Sequence, residues 1–167
     1  MTRRRAAATM PRPMAIHALS RDDLLVLVDG FLDAFNRGDL DAVMQHFTED
    51  ALYVTYDGKE HRGKGRIRAA FEPQFRGEFG RISFITEDRL LDEEAGKAMV
   101  RWTCRHELEG GQTALPGLAE VRNLLFRGVY GRVFAWQGLD VLHFEGGKVR
   151  EKRTFSHAHV PLGHGAR

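Results

Sequence analysis

Cysteine is almost absent from this chain: of 167 residues, only Cys104 is one. A single thiol excludes an internal disulfide and fits a reducing compartment, so a cytoplasmic protein is expected. Long apolar runs are lacking too. None approaches the roughly 20 residues of a membrane span, and no membrane partner is expected. There is little excess charge of either sign, with 25 Lys and Arg against 23 Asp and Glu and a formal net charge of +2. No basic stripe with interleaved aromatics appears, so nucleic acid is not an expected partner. The 8 histidines are scattered, HExxH is absent, and Gly63-Lys64-Gly65 is too short for a phosphate loop. No metal and no cofactor are expected.

What is present is a chain 43% hydrophobic, enough for one core, at a length suited to one domain of about 100–200 residues. Residues 1–19 hold Arg3-Arg4-Arg5 and Pro11-Arg12-Pro13 and read as a flexible tail. Twin arginines can mark export, but the stretch after them has no strong apolar centre. Residues 20–158 read as a single domain and 159–167 as a second tail.

Within the domain, Leu24, Val28, Phe31, Leu32 and Phe35 recur at helical spacing. Ser20 and Asp23 form a capping-box pattern before them. The pattern predicts a helix over about 22–37, stopped by Gly38. Asp39 caps a second helix running to about Phe47. A strand over 51–56 and a turn at Asp57-Gly58 follow. A third helix starts near Gly65, and Pro73 is expected to kink or end it. Strands are predicted over 81–91, 97–107, 132–145 and 148–156. Their short connections favour antiparallel pairing. Between them, residues 110–131 carry leucines at helical spacing and are expected to form a small lid or interface helix.

Two blocks carry a family resemblance. The first is Asn36-Arg37-Gly38-Asp39-Leu40-Asp41, Phe47, Asp50-Ala51, Gly58 and His61-Arg62-Gly63. The second is Asp140, Phe144, Gly146-Gly147-Lys148-Val149 and Arg153. The chain resembles the nuclear transport factor 2-like superfamily, which includes ketosteroid isomerase, scytalone dehydratase, limonene epoxide hydrolase and SnoaL-type polyketide cyclases. The resemblance implies an α+β cone: a curved, mostly antiparallel sheet wrapped on three helices, with a deep apolar pocket. It also implies a homodimer through the outer sheet face. It does not select a reaction, because one fold hosts many functions.

Strand alternation sorts the candidate site residues. Asp140 shares a row with Trp136, Gly138, Leu142 and Phe144. A charged group on such a row needs a reason, catalytic or a structural tie to a nearby ring. The resemblance places Asp140 where ketosteroid isomerase keeps an oxyanion-hole aspartate. Desolvation would leave it a neutral acid able to donate a hydrogen bond; ionised, it would act as a base or orient His106. The isomerase's other groups are missing, since its tyrosine aligns with Phe31 and its general base with Thr55. Tyr53 should share a side with Thr55 and offers a phenol. His106 follows Val100, Trp102 and Cys104 on one row and is either a proton shuttle or a core residue. For Lys152 two placements stand, and the solvent-facing one is favoured. The aligned register turns Lys152, Thr154 and Ser156 inward, whereas Val149 and Phe155 on the alternate row, and the rarity of buried lysine, turn Lys152 to solvent. The expected catalytic set is thus Asp140, His106, Tyr53 and Lys152. The expected ligand-lining set is Phe31, Phe35, Thr55, Phe71, Trp102, Trp136, Leu142 and Phe144. The reading this supports is a lyase or isomerase acting by general acid–base chemistry on an aromatic or polycyclic molecule. Dehydration, double-bond migration and retro-aldol cleavage all fit. The alternative is a non-catalytic binding or carrier protein, which fully paired Asp140 and His106 would favour.

Overall fold

The computed structural model describes residues 19–107 and 133–157. The segment at 110–131 and, but for Leu19, both tails lie outside the described residues. The element order is α1 (Arg21–Asn36), α2 (Leu40–Gln45), β1 (Phe47–Val54), β2 (Glu60–Arg62), α3 (Lys64–Phe75), β3 (Arg81–Asp92), β4 (Lys97–Glu107), β5 (Val133–Glu145) and β6 (Lys148–His157). The strands form one curved sheet in the order β2-β1-β6-β5-β4-β3. All pairings are antiparallel except β1 with β6, which is parallel. With three helices on it, this is the expected α+β cone. No helix among the described residues is long and apolar enough to cross a membrane.

Local chemistry sets the helix ends. Ser20 and Asp23 complete a reciprocal capping box at α1, satisfying two backbone donors that the helix itself cannot. At the other end Gly38 takes φ 68°. That left-handed turn lets Gly38 N–H reach Phe35 O at 3.0 Å and Asp39 N–H reach Ala34 O at 3.1 Å, the double bond pattern of a Schellman stop. Asp39 then caps α2 by accepting from Ala42 N–H at 2.9 Å. The second helix is shorter than expected and stops at Gln45, because Phe47 already begins β1. Pro73 does not end α3, which continues to Phe75. It sits in the last turn, where its missing N–H removes a single bond. Arg76 N–H to Glu72 O at 2.8 Å and Glu78 N–H to Pro73 O at 3.0 Å hold the chain beyond it.

The apolar stripe of α1 packs onto the sheet, with Val28, Phe31, Val43, Phe47, Val100 and Val149 essentially sealed from solvent. Asn36 fixes the helix to the edge of the sheet. Its amide Nδ2 donates to Phe84 O at 3.0 Å and its Oδ1 accepts from Phe84 N–H at 2.7 Å. One side chain thereby satisfies both backbone groups of an edge-strand residue, as a neighbouring strand would.

Candidate functional site

A cavity of about 240 Å³ stays open between the helices and the sheet. Phe31 and Phe35 from α1, Phe71 from α3, Tyr53 from β1, Trp102 from β4 and Trp136 from β5 border it. Their rings meet mostly edge to face, as Phe31–Phe35 at 5.0 Å, Phe35–Phe71 at 5.2 Å and Phe84–Trp102 at 5.1 Å. Such contacts give a stiff aromatic wall.

Three of the expected lining residues do not border the cavity. Leu142 is buried in the closed core and Phe144 packs against that core. Alternation assigns both to the inner face but says nothing of depth. From Trp136 to Phe144 the strand runs about 27 Å, longer than the cavity, and its far end is packed solid. Thr55 lies just beyond β1 in the turn to β2, where its hydroxyl bonds Asp57 and Lys59 O.

Lys152 corrects the solvent-facing expectation. Its side chain is 5% exposed and borders the cavity. The cause is a bulge. Phe144 pairs with Val149 and His143 with Glu151, so Arg150 is an extra residue that reverses the alternation. Val149 and Lys152 therefore both point inward, although they are an odd number of positions apart.

The register brings a first polar group together. Lys152 lies opposite Leu142 on β5 and Tyr53 on β1, and Thr154 lies opposite Asp140. Lys152 Nζ donates to Asp140 Oδ1 at 2.5 Å and to Thr154 Oγ1 at 2.6 Å; Thr154 Oγ1 donates to the same Oδ1 at 2.7 Å. Lys152 Nζ also stands 5.1 Å from the centre of the Tyr53 ring. Asp140 is thus an acceptor in an ion pair, in contrast to the hydrogen-bond-donating neutral acid that the resemblance implies. Both bonds fall on Oδ1, which leaves Oδ2 with no donor among the described residues. Burial pulls the Lys152 ammonium below its usual range, with the Asp140 charge and hydrogen bond opposing. Burial first, and the Asp140 charge second, push the Tyr53 phenol up, with a hydrogen bond between Tyr53 and Thr154 opposing. Tyr53 is therefore a phenol throughout the neutral range.

A second polar group lies farther along the sheet. His106 Nδ1 is 3.0 Å from Phe79 O. A carbonyl only accepts, so Nδ1 carries the proton and Nε2 is left as an acceptor. Nε2 faces the Cys104 thiol at 3.2 Å. The imidazole stacks on Phe134 at 4.7 Å and leans on Trp136 at 4.3 Å. Burial lowers the His106 pKa, against the Phe79 bond. Burial, then the Asp140 charge, push the Cys104 thiol up to about 12, with Trp136 opposing. The pair at rest is a neutral imidazole and a neutral thiol. Tyr53 thus joins Asp140 and Lys152, whereas His106 stands with Cys104. Cys104 and Thr154 were absent from the expected site. Their signal in the sequence is positional: Cys104 lies between Trp102 and His106 on one row, and Thr154 is two residues from Lys152.

Trp102 carries a third feature. Its Nε1 is buried and has no partner among the described residues. Such an unpaired donor costs about 1–3 kcal/mol. The ring is seated by Gly138, where an added Cβ would stand 2.3 Å from Trp102 Cη2 and 2.8 Å from Phe155 O. Only glycine permits that approach. Among the described residues no group of three or more His, Cys, Asp or Glu is placed to hold a metal.

Comparison with known proteins adds a family. The model of a SnoaL-like domain matches residues 28–152. No curated protein matches the sequence. Among solved structures, SalBIII, an epoxide hydrolase/cyclase-like enzyme in pyran ring formation of the polyether salinomycin, superposes with a TM-score of 0.64 at 15% identity, over 84% of this chain and 95% of that one. A candidate SnoaL-like polyketide cyclase from Jannaschia sp. CCS1 gives 0.60 at 17% identity, over 89% and 91%. Bal32a, from a soil-derived mobile gene cassette, gives 0.59 at 18%, over 82% and 91%. Identities this low show a shared fold.

Proposed function

This chain belongs to the SnoaL-like domain family, and we propose that it is a cofactor-independent lyase or isomerase of an aromatic or polycyclic small molecule. The observation that carries this reading is the buried Asp140–Lys152 ion pair in the wall of a largely apolar, aromatic-rich cavity. A buried pair is poor packing, and apolar residues of similar volume hold a core as well or better. Benzene fills an engineered cavity of about 150 Å³, so the cavity here suits one or two fused rings. Asp140 accepts a proton from carbon or oxygen. Lys152 steadies a developing oxyanion. Tyr53, held protonated by burial, donates. Dehydration, double-bond migration and retro-aldol cleavage all use these roles. The protein acts in the cytoplasm as a homodimer, docking through the outer sheet face where Ile85 and Phe155 are more than half exposed.

The test is turnover of β-hydroxy aryl ketones, followed by the absorbance of the conjugated enone. Asp140→Asn and Asp140→Ala should both fall by about a hundredfold or more, the typical worth of a general base. The second reading, a binding or carrier protein, has its own support: both His106 nitrogens and Asp140 Oδ1 are engaged. Tight binding of aryl ketones, with full-length protein converting none of them, would select it.

A further inference from the structure

We infer that Lys152 is a nucleophilic amine that condenses with a neutral aromatic aldehyde or ketone, making the ligand's carbonyl carbon the reacting centre. The inference rests on the small-molecule reading above and narrows it to a substrate class. Four observations lead to it. Lys152 supplies the cavity's sole amine among the described lining residues, and neither arginine nor a second lysine borders the space. It is 4% exposed, and desolvation favours the uncharged amine over the ammonium. Asp140 Oδ1, 2.5 Å from Nζ, is placed to take the proton that must leave before nitrogen can attack. The Tyr53 phenol stands on the adjoining strand, paired in register with Lys152.

The same geometry argues against an anionic ligand. The ammonium is already compensated by a carboxylate at 2.5 Å, so an incoming carboxylate or phosphate would meet Asp140 as well as Lys152. A neutral carbonyl meets no such repulsion. With much of the remaining wall aromatic, an aryl aldehyde or ketone fits both parts of the site.

The step balances without any outside reagent. The ammonium proton passes to Asp140, and the freed Nζ lone pair attacks the carbonyl carbon. The carbonyl π pair moves onto oxygen, which takes a proton from Tyr53; the phenolate recovers one from the attacking nitrogen. Asp140 then protonates the carbinolamine hydroxyl, which leaves as water while the nitrogen pair closes the C=N bond. The products are a protonated imine on Lys152, one water and the Asp140 carboxylate restored. The imine draws electrons from the neighbouring carbon, which eases removal of its proton, loss of a β-hydroxyl or cleavage of the adjacent C–C bond.

The experiment treats the full chain with 2-naphthaldehyde and cyanoborohydride, reads the intact mass and maps the label. Both tryptophans of the chain, Trp102 and Trp136, border the cavity, so quenching of intrinsic fluorescence reports entry of the naphthalene ring independently. The expected result is quenching together with a mass increase of one naphthylmethyl group, mapped to Lys152. Lys152→Arg, which keeps the cation, should quench and lose that label. Quenching with label on surface lysines and none on Lys152 overturns the imine and leaves the acid–base reading standing. Absence of both quenching and Lys152 label overturns the imine and the pocket reading together.

Discussion

At the scale of single residues, the site holds two kinds of side chain that stability alone would not select. Removing one partner of the buried Asp140–Lys152 pair leaves an uncompensated charge. Lys152→Met should therefore destabilise by about 3–5 kcal/mol, while Asp140→Leu with Lys152→Met should recover most of that. Urea denaturation of both variants checks this. A double variant as unstable as the single one would assign the pair a packing role beyond its charges. His106 gives a sharper contrast. If it relays protons, His106→Ala should lower turnover by about a hundredfold or more; an unchanged rate with the fold intact would make it a core residue held by Phe79 and Cys104.

At the scale of elements, two contacts shape the aromatic wall. Gly138→Ala would push a methyl group into the Trp102 ring and against Phe155 O. Overpacking of this kind costs about 1–3 kcal/mol, and it should abolish tryptophan quenching by naphthyl ligands. Asn36→Ala would strip both bonds from the Phe84 backbone and should cost about 1–3 kcal/mol, read as a shift in the denaturation midpoint. How far the sequence foretold these elements depends on how local their causes are. The caps at Ser20 and Asp39 and the stop at Gly38 act within four residues, so they were legible. Row assignments for Trp102, His106 and Asp140 needed only alternation. Lys152 was misread because one extra residue at Arg150 reverses the alternation, and a bulge answers to the partner strand. Leu142 and Phe144 were misplaced because alternation gives a face and not a depth. The Cys104–His106 contact depends on Phe79, 27 residues away in sequence, which no local pattern announces.

At the scale of the whole molecule, three partly or fully buried histidines set the response to acid. Burial lowers the pKa of His46, His106 and His143, whereas in the unfolded chain each titrates near about 6.5. The unfolded state therefore binds more protons as pH falls through that value. Stability is fully present above it and is lost toward the lower folded values. Thermal midpoints should drop as pH falls below about 6.5, and His106→Gln should flatten the drop; a midpoint independent of pH below that value would refute the linkage. The strand order also governs when the site can exist. Tyr53 and Lys152 are cross-strand partners separated by about a hundred residues, and pairings so distant carry a large loop-closure cost that slows folding. During synthesis the helices and β1 emerge first, with the β1 edge that β6 will cover still bare. Such an edge, beside unfilled apolar surface, invites association with other nascent chains. The proposed reaction centre is thus complete only once β6 has joined the sheet, and chains cut short before β6 would carry the aromatic wall without Lys152.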